Sequence, residues 1–481
     1  MLPRRKLTRA LFAGAIGLAL AQPAAAVAHG LVVRADLPIP EWLFGWGASV
    51  VLLVSFVALA IMWPEPKLQA DSWRPFGGGF GRAIASRAVE VICGAIGVLL
   101  LGVVIWSGLA GVQIAAANFA PNFVYVIFWV GLVPVSVLFG DVFRAFNPWR
   151  AIGRAFARTA SGLSRGPLPA PLAYPERLGN WPAALGLLAF VWLELVADTG
   201  DTPSALALAT ILYSAATFVG MALYGVTGWI ERGEAFSVYF NLFARISPLE
   251  VRDGTLGVRR PLSGLPGFTP TNGTVALLMV MIGSVTFDGL SGGVLWNEVL
   301  VPALQNGWGV LSLPPALTLE LTFATGLLGS ILFVAGFYRL GILGAVSVGG
   351  GKTPTELSRS FVHSLVPIGV VYALAHYISL LLIQGQAMVF LVSNPLGGEA
   401  DYLGTAAVGI DYAIVGQATY WYLQVAFVVL GHVGGLALAH DRALAIYSDA
   451  RLAVRSQYWM LAVMLGFTSL ALWLLASANQ S

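Results

Sequence analysis

Charged residues are scarce in this chain of 481 residues. Lys, Arg, Asp and Glu make up 10% of it, whereas hydrophobic residues make up 58%. This composition excludes an ordinary soluble domain and indicates a polytopic membrane protein, whose main partner is the lipid bilayer. The formal net charge of +3 gives no indication of nucleic-acid binding. The positions of the basic residues are more informative than their sum.

Cysteine, methionine and familiar catalytic motifs are also scarce or absent. The single cysteine, Cys93, lies in an apolar run, which excludes an intramolecular disulfide and a cysteine-based metal motif. The 8 methionines are scattered, which argues against a thioether-rich copper carrier. The chain has no nucleophile elbow, no HExxH motif and no phosphate-binding loop, since the glycines before Lys352 lack the required spacing.

Residues 1–28 have the pattern of a secretory signal peptide. Basic residues come first, an apolar run follows, and small residues then suit cleavage after Ala26 or Ala28. An uncleaved first helix is the alternative. Cleavage after Ala28 makes His29 the first mature residue, and its amino group and imidazole together suit a copper ion. Residues 29–481 are predicted to form a single transmembrane helical domain.

Beyond this segment the hydropathy predicts about ten membrane-spanning helices, so the expected fold is an all-α polytopic membrane protein. Basic residues concentrate in five alternate connections, which begin near residues 64, 141, 229, 339 and 440. The positive-inside rule places these connections in the cytoplasm and both mature termini in the periplasm. The predicted spans are approximately 42–63, 89–110, 122–140, 181–198, 204–228, 272–288, 319–340, 361–383, 417–440 and 457–476.

Two cytoplasmic connections are predicted to hold amphipathic helices that lie in the headgroup plane, near 143–158 and 234–247. In the first, aromatic residues recur at helical spacing, while Arg150, Arg154 and Arg158 follow four apart on another face. In the second, apolar residues recur in the same way at Phe236, Tyr239, Phe240, Phe243 and Ile246. The plainer interpretation of both is anchoring to the membrane surface with no part in catalysis.

Carboxylates outnumber basic residues on the predicted outer side, and several lie within spans or at their ends. Glu194 and Asp198 are four residues apart, so a continuous helix puts them on one face, where they repel unless protonated or bridged by a cation. Asp288 ends the sixth predicted span, and Glu320 opens the seventh. Ionisable groups at this depth are costly, so the set marks a candidate functional site.

Polar side chains form two stripes in the outer halves of the eighth and ninth predicted spans. Spacings of three and four residues put each set on one helix face. The sets are Tyr372, His376 and Ser379 in the eighth span, and Gln417, Tyr420 and Gln424 in the ninth. With the outer acids they predict a hydrated cavity open to the periplasm. Within it His376 is the candidate metal ligand or general base, with oxygen ligands from Asp288 or Glu194. The alternative is that His376 only hydrogen-bonds another helix.

The remaining histidines of the spans lie deeper. His363 and His440 fall near predicted cytoplasmic ends, and His432 lies between two glycines whose spacing is typical of close helix contact. Asp441 directly follows His440, which indicates a network of ion pairs and caps. Haem ligation is a lesser alternative, because His376 and His432 lie at different predicted depths.

Several long strings resemble one family of bacterial integral membrane proteins, the fenitrothion hydrolases. They are NFVYVIFWVGLVPVSVLFGDVFRAFNPWRAI at 122–152, TFDG at 286–289, AHYISLLLIQGQ at 375–386 and GHVGGLALAHDRAL at 431–444, and the likeness begins within 29–44. It covers nearly the whole mature chain. The resemblance implies a multi-pass protein of the bacterial inner membrane that hydrolyses lipophilic organophosphate triesters, releasing a nitrophenol from an aryl phosphorothioate.

Under this hypothesis a divalent metal ion of unknown identity activates water for attack at phosphorus, and a small lipophilic substrate enters from the bilayer. The candidate metal ligands are His376, Asp288 and His29, and the candidate catalytic acids are Glu194 and Asp198. Two alternatives stay open. One is a membrane protein that handles or transports a metal such as copper, and the other is a redox subunit that carries haem.

Overall fold

The structure is a computed structural model, and it describes residues 41–163 and 171–478. Nine of the described helical segments are long and apolar enough to cross a membrane, which confirms the all-α polytopic class in outline. The predicted signal peptide and His29 lie outside the described residues. The orientation of the termini, and which membrane holds the protein, stay predictions.

Ten helices make up the first half of the described chain. They are α1 (Glu41–Met62), α2 (Phe80–Ile84), α3 (Arg87–Ala110), α4 (Phe119–Phe139), α5 (Val142–Phe146), α6 (Pro148–Leu163), α7 (Trp181–Leu195), α8 (Pro203–Tyr224), α9 (Val226–Arg232) and α10 (Ala235–Ala244). The centre of α4 is π-helical over Asn122–Gly131. Both α7 and α8 carry proline in their first turn, where its fixed φ suits a helix start.

Nine helices make up the second half. They are α11 (Thr274–Ser291), α12 (Val301–Gly309), α13 (Pro315–Ser347), α14 (Pro354–Phe361), α15 (Leu365–Ile383), α16 (Ala387–Leu391), α17 (Gln417–Ile446), α18 (Ala450–Ser456) and α19 (Tyr458–Ala478). A π-helical turn, Leu295–Leu300, precedes α12. α14 begins with a capping box, in which Thr353 and Glu356 satisfy each other's backbone N–H groups.

The fourth predicted span is a short helix. α7 has 15 residues, which is about 22 Å at 1.5 Å per residue and less than the roughly 30 Å of a bilayer core. The predicted range of 181–198 runs too far, because the chain turns after Leu195. The N–H of Gly200 donates to the carbonyl of Ala197 at 3.0 Å, and Pro203 then begins α8. The other nine predicted spans match the nine long segments.

α11 and α15 form the centre of the bundle. Most of α11 is buried, and it packs against α7, α13, α15 and α19. α15 lies along α17, where a Cβ added to Gly431 would overlap the side chain of Val371. A Cβ added to Gly435 would lie 2.8 Å from the carbonyl oxygen of Ser364. The two glycines therefore allow the close helix contact that their spacing predicted.

A small antiparallel sheet is the part of the fold that the all-α prediction lacks. Its order is β1-β3-β2, with β1 at Arg74–Pro75, β2 at Leu249–Arg252 and β3 at Thr255–Val258. Asp253 and Gly254 join β2 to β3 with φ of 48° and 71°. Asp-Gly favours this type I′ geometry, so the hairpin signal was present in the sequence.

Helices occupy both segments predicted to lie in the headgroup plane, but they differ in burial. α6 exposes Phe156 and Leu163, and it is tied to Glu90 of α3 by two arginines. α10 is buried at eight of its ten positions. It departs from the expected amphipathic surface helix because aromatic side chains of α4, α5 and α7 surround it. The depth of either helix in a membrane stays a prediction.

Candidate active site

Asp288 and His376 meet in the interior of the bundle. Asp288 lies in the last turn of α11, His376 lies in the second half of α15, and the two residues are 2% and 3% exposed. The Nε2 of His376 is 2.8 Å from the Oδ2 of Asp288, a hydrogen-bond distance. The structure therefore brings together two residues that the sequence assigned to one site.

Tyr377 is the third member of the cluster, and the sequence analysis missed it. Its hydroxyl donates to the same Oδ2 of Asp288 at 2.7 Å, and its ring lies edge-on to the His376 imidazole with centroids 4.6 Å apart. Tyr377 lies outside the predicted stripe that contains His376, because adjacent helical residues point about 100° apart. Both side chains nevertheless reach Asp288, since α11 lies between the two directions.

Glu194 approaches this cluster from α7. It is half-buried, and its carboxylate is near enough to Asp288 and to the phenol of Tyr377 for their charges to interact. Among the described residues no Lys or Arg forms an ion pair with Glu194. Two carboxylates, an imidazole and a phenol thus share one buried region.

Asp198 lies apart from the buried cluster. α7 ends at Leu195, so Glu194 and Asp198 do not share the helix face that their predicted repulsion required. Asp198 is exposed in the turn before α8, and its backbone N–H donates to Oε1 of Glu320 at 3.3 Å. The predicted pairing was wrong because the helix stops before Asp198.

The two predicted polar stripes are packed between helices. Tyr372, Ser379, Tyr420 and Gln424 are buried, and the described residues offer no hydrogen-bond partner to the hydroxyls of Ser379 and Tyr420. Gln417 begins α17, and its side chain lies outside the described part. The expected hydrated cavity is reduced beside His376 to about 10 Å³, with walls that include Tyr372, Gly289, Ala471 and Leu474. This volume suits about one water molecule.

One edge of the His376 ring faces Gly289 at this small cavity. A Cβ built on Gly289 would lie 3.8 Å from both Nδ1 and Cε1 of His376. With Asp288 ionised, Nε2 carries the ring proton and donates it to Oδ2, which leaves Nδ1 as an unprotonated acceptor. A carboxylate that fixes the tautomer of a histidine is the arrangement of a general base with its orienting group.

Two of the three predicted metal ligands, His376 and Asp288, lie together in the structure. Over residues 41–163 and 171–478, no group of three or more His, Cys, Asp or Glu side chains is placed to hold a metal ion. His376 and Asp288 hydrogen-bond each other through Nε2 and Oδ2. His29, the third predicted ligand, lies outside the described residues. The described donors alone do not fit the ion, and the metal stays a prediction.

His432 and His440 hydrogen-bond other groups of the protein and lie outside the cluster of Asp288 and His376. In His440, Nδ1 lies 3.2 Å from Oε1 of Gln457, and Nε2 lies 3.0 Å from the carbonyl oxygen of Trp63. The Nδ1 of His432 donates to a carbonyl of its own helix. Asp441 accepts hydrogen bonds from four residues after or at the end of α1: Trp63, Lys67, Leu68 and Gln69. The hydrogen bonds expected around His440 are therefore present, but the described residues form no ion pair with Asp441.

Comparisons of the chain with protein-family models, with curated proteins and with solved structures find no match. The likeness to fenitrothion hydrolases therefore stays a prediction from the strings quoted above. What the structure adds to it is the geometry of Asp288, His376, Tyr377 and Glu194.

Proposed function

We propose that the protein is a membrane-embedded hydrolase of lipophilic organophosphate triesters, in which His376 is the general base and Asp288 orients it. The supporting observation is the buried hydrogen bond of 2.8 Å between Nε2 and Oδ2 of these residues. The other edge of the ring borders a cavity of about 10 Å³, which suits the attacking water. The substrate class comes from the resemblance to the fenitrothion hydrolases.

In this mechanism a water molecule in the small cavity donates a hydrogen bond to Nδ1 of His376. Its oxygen attacks phosphorus while Nδ1 takes the proton, and Asp288 stabilises the imidazolium that forms. The new bond joins the water oxygen to phosphorus, and the bond between phosphorus and the aryl oxygen breaks. The phenolate leaves with the bonding electrons, and His376 then returns its proton to the phenolate or to solvent.

Tyr377 acts in this proposal as a positioning residue. Its hydroxyl donates to Oδ2, which fixes the direction of the carboxylate. Glu194 adds a second carboxylate beside the cluster. A site buried among membrane-spanning helices suits neutral triesters, because such molecules partition into hydrocarbon and can reach the site from the bilayer.

The test is nitrophenol release from fenitrothion by washed membranes that contain the full chain at matched expression levels. We expect release above an empty-vector membrane, and a fall of about a hundredfold or more in His376→Asn and in Asp288→Asn, the usual range for a lost general base. Full activity of His376→Asn would remove the proposed base. If well-expressed, folded wild-type protein releases no nitrophenol, organophosphate triesters are not its substrates.

A chelator arm separates the base mechanism from the predicted metal. Unchanged release in the chelator would agree with His376 acting on water directly. Loss of release that a divalent ion restores would support the predicted metal-assisted attack, and His29→Ala would be the next variant. Metal handling and haem carriage, the two alternatives, are favoured by no contact among the described residues and are not proposed.

A further inference from the structure

A second cavity, of about 810 Å³, lies on the other side of α7. Its walls are α3, α4, α7 and α8, and its floor is formed by α5, α6, α9 and α10. Well-packed protein interiors leave few voids larger than a water molecule. This volume instead lies in the range of about 300 to 1,000 Å³ that is typical of ligand pockets.

The lining is apolar and uncharged. None of the thirty lining residues carries a charge, and ten of them are aromatic. A charged ligand would be buried there without a partner, which is strongly unfavourable. The occupant that suits this wall is therefore neutral over the part that lies inside.

Three polar groups on the wall are engaged within the protein. The hydroxyl of Tyr213 donates to Glu234, and Nε1 of Trp149 donates to the hydroxyl of Ser214 at 2.8 Å. The hydroxyl of Thr210 donates to a carbonyl of its own helix at 2.8 Å. Nε1 of Trp229, which also lines the cavity, is buried with no hydrogen-bond partner among the described residues. The wall thus offers a ligand one buried indole donor, and the remaining contact is mainly apolar and aromatic.

Aromatic rings at the floor of the cavity are arranged edge to face. The ring of Phe236 meets those of Phe128, Phe190 and Tyr213 at centroid distances of 4.8, 5.2 and 5.3 Å. Such rings gain from a further ring placed edge-on or offset, beyond the gain from apolar area alone. A ligand with an aromatic ring thus fits this floor better than a saturated chain does.

We infer that this cavity binds a neutral lipophile that carries an aromatic ring and comes from the bilayer. Trp192 of α7 and Leu212 of α8 line the cavity and are themselves 37% and 62% exposed, so this part of the wall borders the surrounding lipid. Pro182 and Ala189 line the cavity from one face of α7, whereas Glu194 interacts with Asp288 from another face. The inference goes beyond the proposed function and holds whether or not His376 catalyses hydrolysis.

The test is binding of the neutral fluorophore 1-aminoanthracene to the full chain in lipid nanodiscs, with empty nanodiscs as the background. Ala216 of α8 lines the cavity and is exposed within it, so Ala216→Trp should fill part of the space. Ala215 is also exposed but does not line the cavity, so Ala215→Trp is the matched control. We expect saturable binding to the wild type and to Ala215→Trp, and at least tenfold weaker binding to Ala216→Trp.

Ala189→Trp, which fills the cavity from the α7 side, should reproduce the loss. Equal thermal unfolding temperatures would show that the variants are folded. A fluorophore signal no greater than that of empty nanodiscs, or equal binding to Ala215→Trp and Ala216→Trp, would overturn the inference. Native mass spectrometry adds a further arm. A phospholipid that co-purifies with the wild type but not with Ala216→Trp, in the absence of fluorophore binding, would assign the space to an acyl chain instead.

Discussion

The two faces of α7 border cavities of opposite character. On one face Glu194 lies near a polar cluster in which His376 and Tyr377 both hydrogen-bond Asp288. The cavity beside this cluster has a volume of only about 10 Å³. On the other face Pro182 and Ala189 line an apolar space of about 810 Å³. Polar groups inside a membrane protein must be satisfied by other protein groups. Apolar walls need no hydrogen-bond partners and can be covered by a lipophile, so a large cavity between them costs little.

The groups that can exchange a proton and the space that can hold a ligand lie in different parts of the molecule. The polar cluster holds groups that can exchange a proton, but its cavity has room for about one water molecule. The apolar cavity has room for a ligand, but three of its polar groups are hydrogen-bonded within the protein. A single helix of 15 residues carries side chains of both regions, so changes on either side test whether the two act independently.

The largest effect is expected from Asp288→Leu. The change leaves Nε2 of His376 and the hydroxyl of Tyr377 buried without their common acceptor, which costs about 1–3 kcal/mol for each group. Loss of the orienting carboxylate should lower fenitrothion hydrolysis by about 10²–10⁴-fold. Thermal unfolding in detergent and nitrophenol release measure the two effects. Glu298→Gln, at an exposed position, is the control, and an equal fall in that variant would contradict the assignment.

A smaller but more specific effect is expected from Gly289→Ala. The added methyl would lie 3.8 Å from Nδ1 and Cε1 of His376, in ordinary contact, and would occupy part of the water-sized cavity. Hydrolysis should fall by about tenfold to a hundredfold because the water is displaced from its position. Stability should not fall, since alanine favours a helix over glycine by about 1 kcal/mol.

Gly336→Ala is the control for that change, because a Cβ at Gly336 in α13 would meet nothing within 4 Å. It should leave hydrolysis unchanged. If Gly289→Ala keeps full activity and a normal unfolding temperature, the small cavity does not hold the attacking water.

A modest effect is expected on the apolar side. Ala216→Leu adds apolar surface to the large cavity, and each added methylene that becomes buried is worth about 0.8 kcal/mol. The unfolding temperature should therefore rise slightly, while hydrolysis at His376 stays within about twofold of the wild type. A clear rise in KM would instead show that the two sides of α7 serve one substrate.

The smallest effect concerns Asp401, a carboxylate that faces water and belongs to neither region. The hydroxyl of Ser393 and the N–H of Ala406 donate to it and hold its pKa below the ordinary value of 3.8. A lowered pKa stabilises the folded loop above the unfolded pKa, and this contribution is lost as the pH falls through the folded pKa. The protection factors of the amide hydrogens of residues 393–406, corrected for the intrinsic exchange rate at each pH, should therefore fall below about pH 4 in the wild type. Asp401→Asn should show no such step.

Much of the fold was predictable because hydropathy is a local property. Nine spans were predicted close to their observed positions. The glycines at 431 and 435 predicted a close helix contact, and the structure shows that α15 makes it. The end of α7 and the hairpin at Asp253 and Gly254 were missed, although turn residues marked both. The burial of α10 could not be predicted, since an apolar stripe fits either a membrane surface or a protein core.

The candidate site was predictable in part. Asp288 and His376 were found because ionisable groups within spans are rare and usually functional. Tyr377 was missed because helical periodicity assigned it to another face, and Asp198 was included because α7 was extended past Leu195. The packing of Tyr420 and Gln424, in place of a hydrated opening, depended on how closely the helices approach one another.

The sequence by itself determined that the chain forms apolar helices, where most of them begin and end, and which spans carry buried acids and histidines. Each of these properties depends on residues near one another in the chain. Only the tertiary structure decided that Asp288 accepts from both His376 and Tyr377, and that α7 separates this cluster from a large apolar cavity. Those arrangements depend on helix rotation and packing between residues about ninety or more positions apart, which no local pattern encodes.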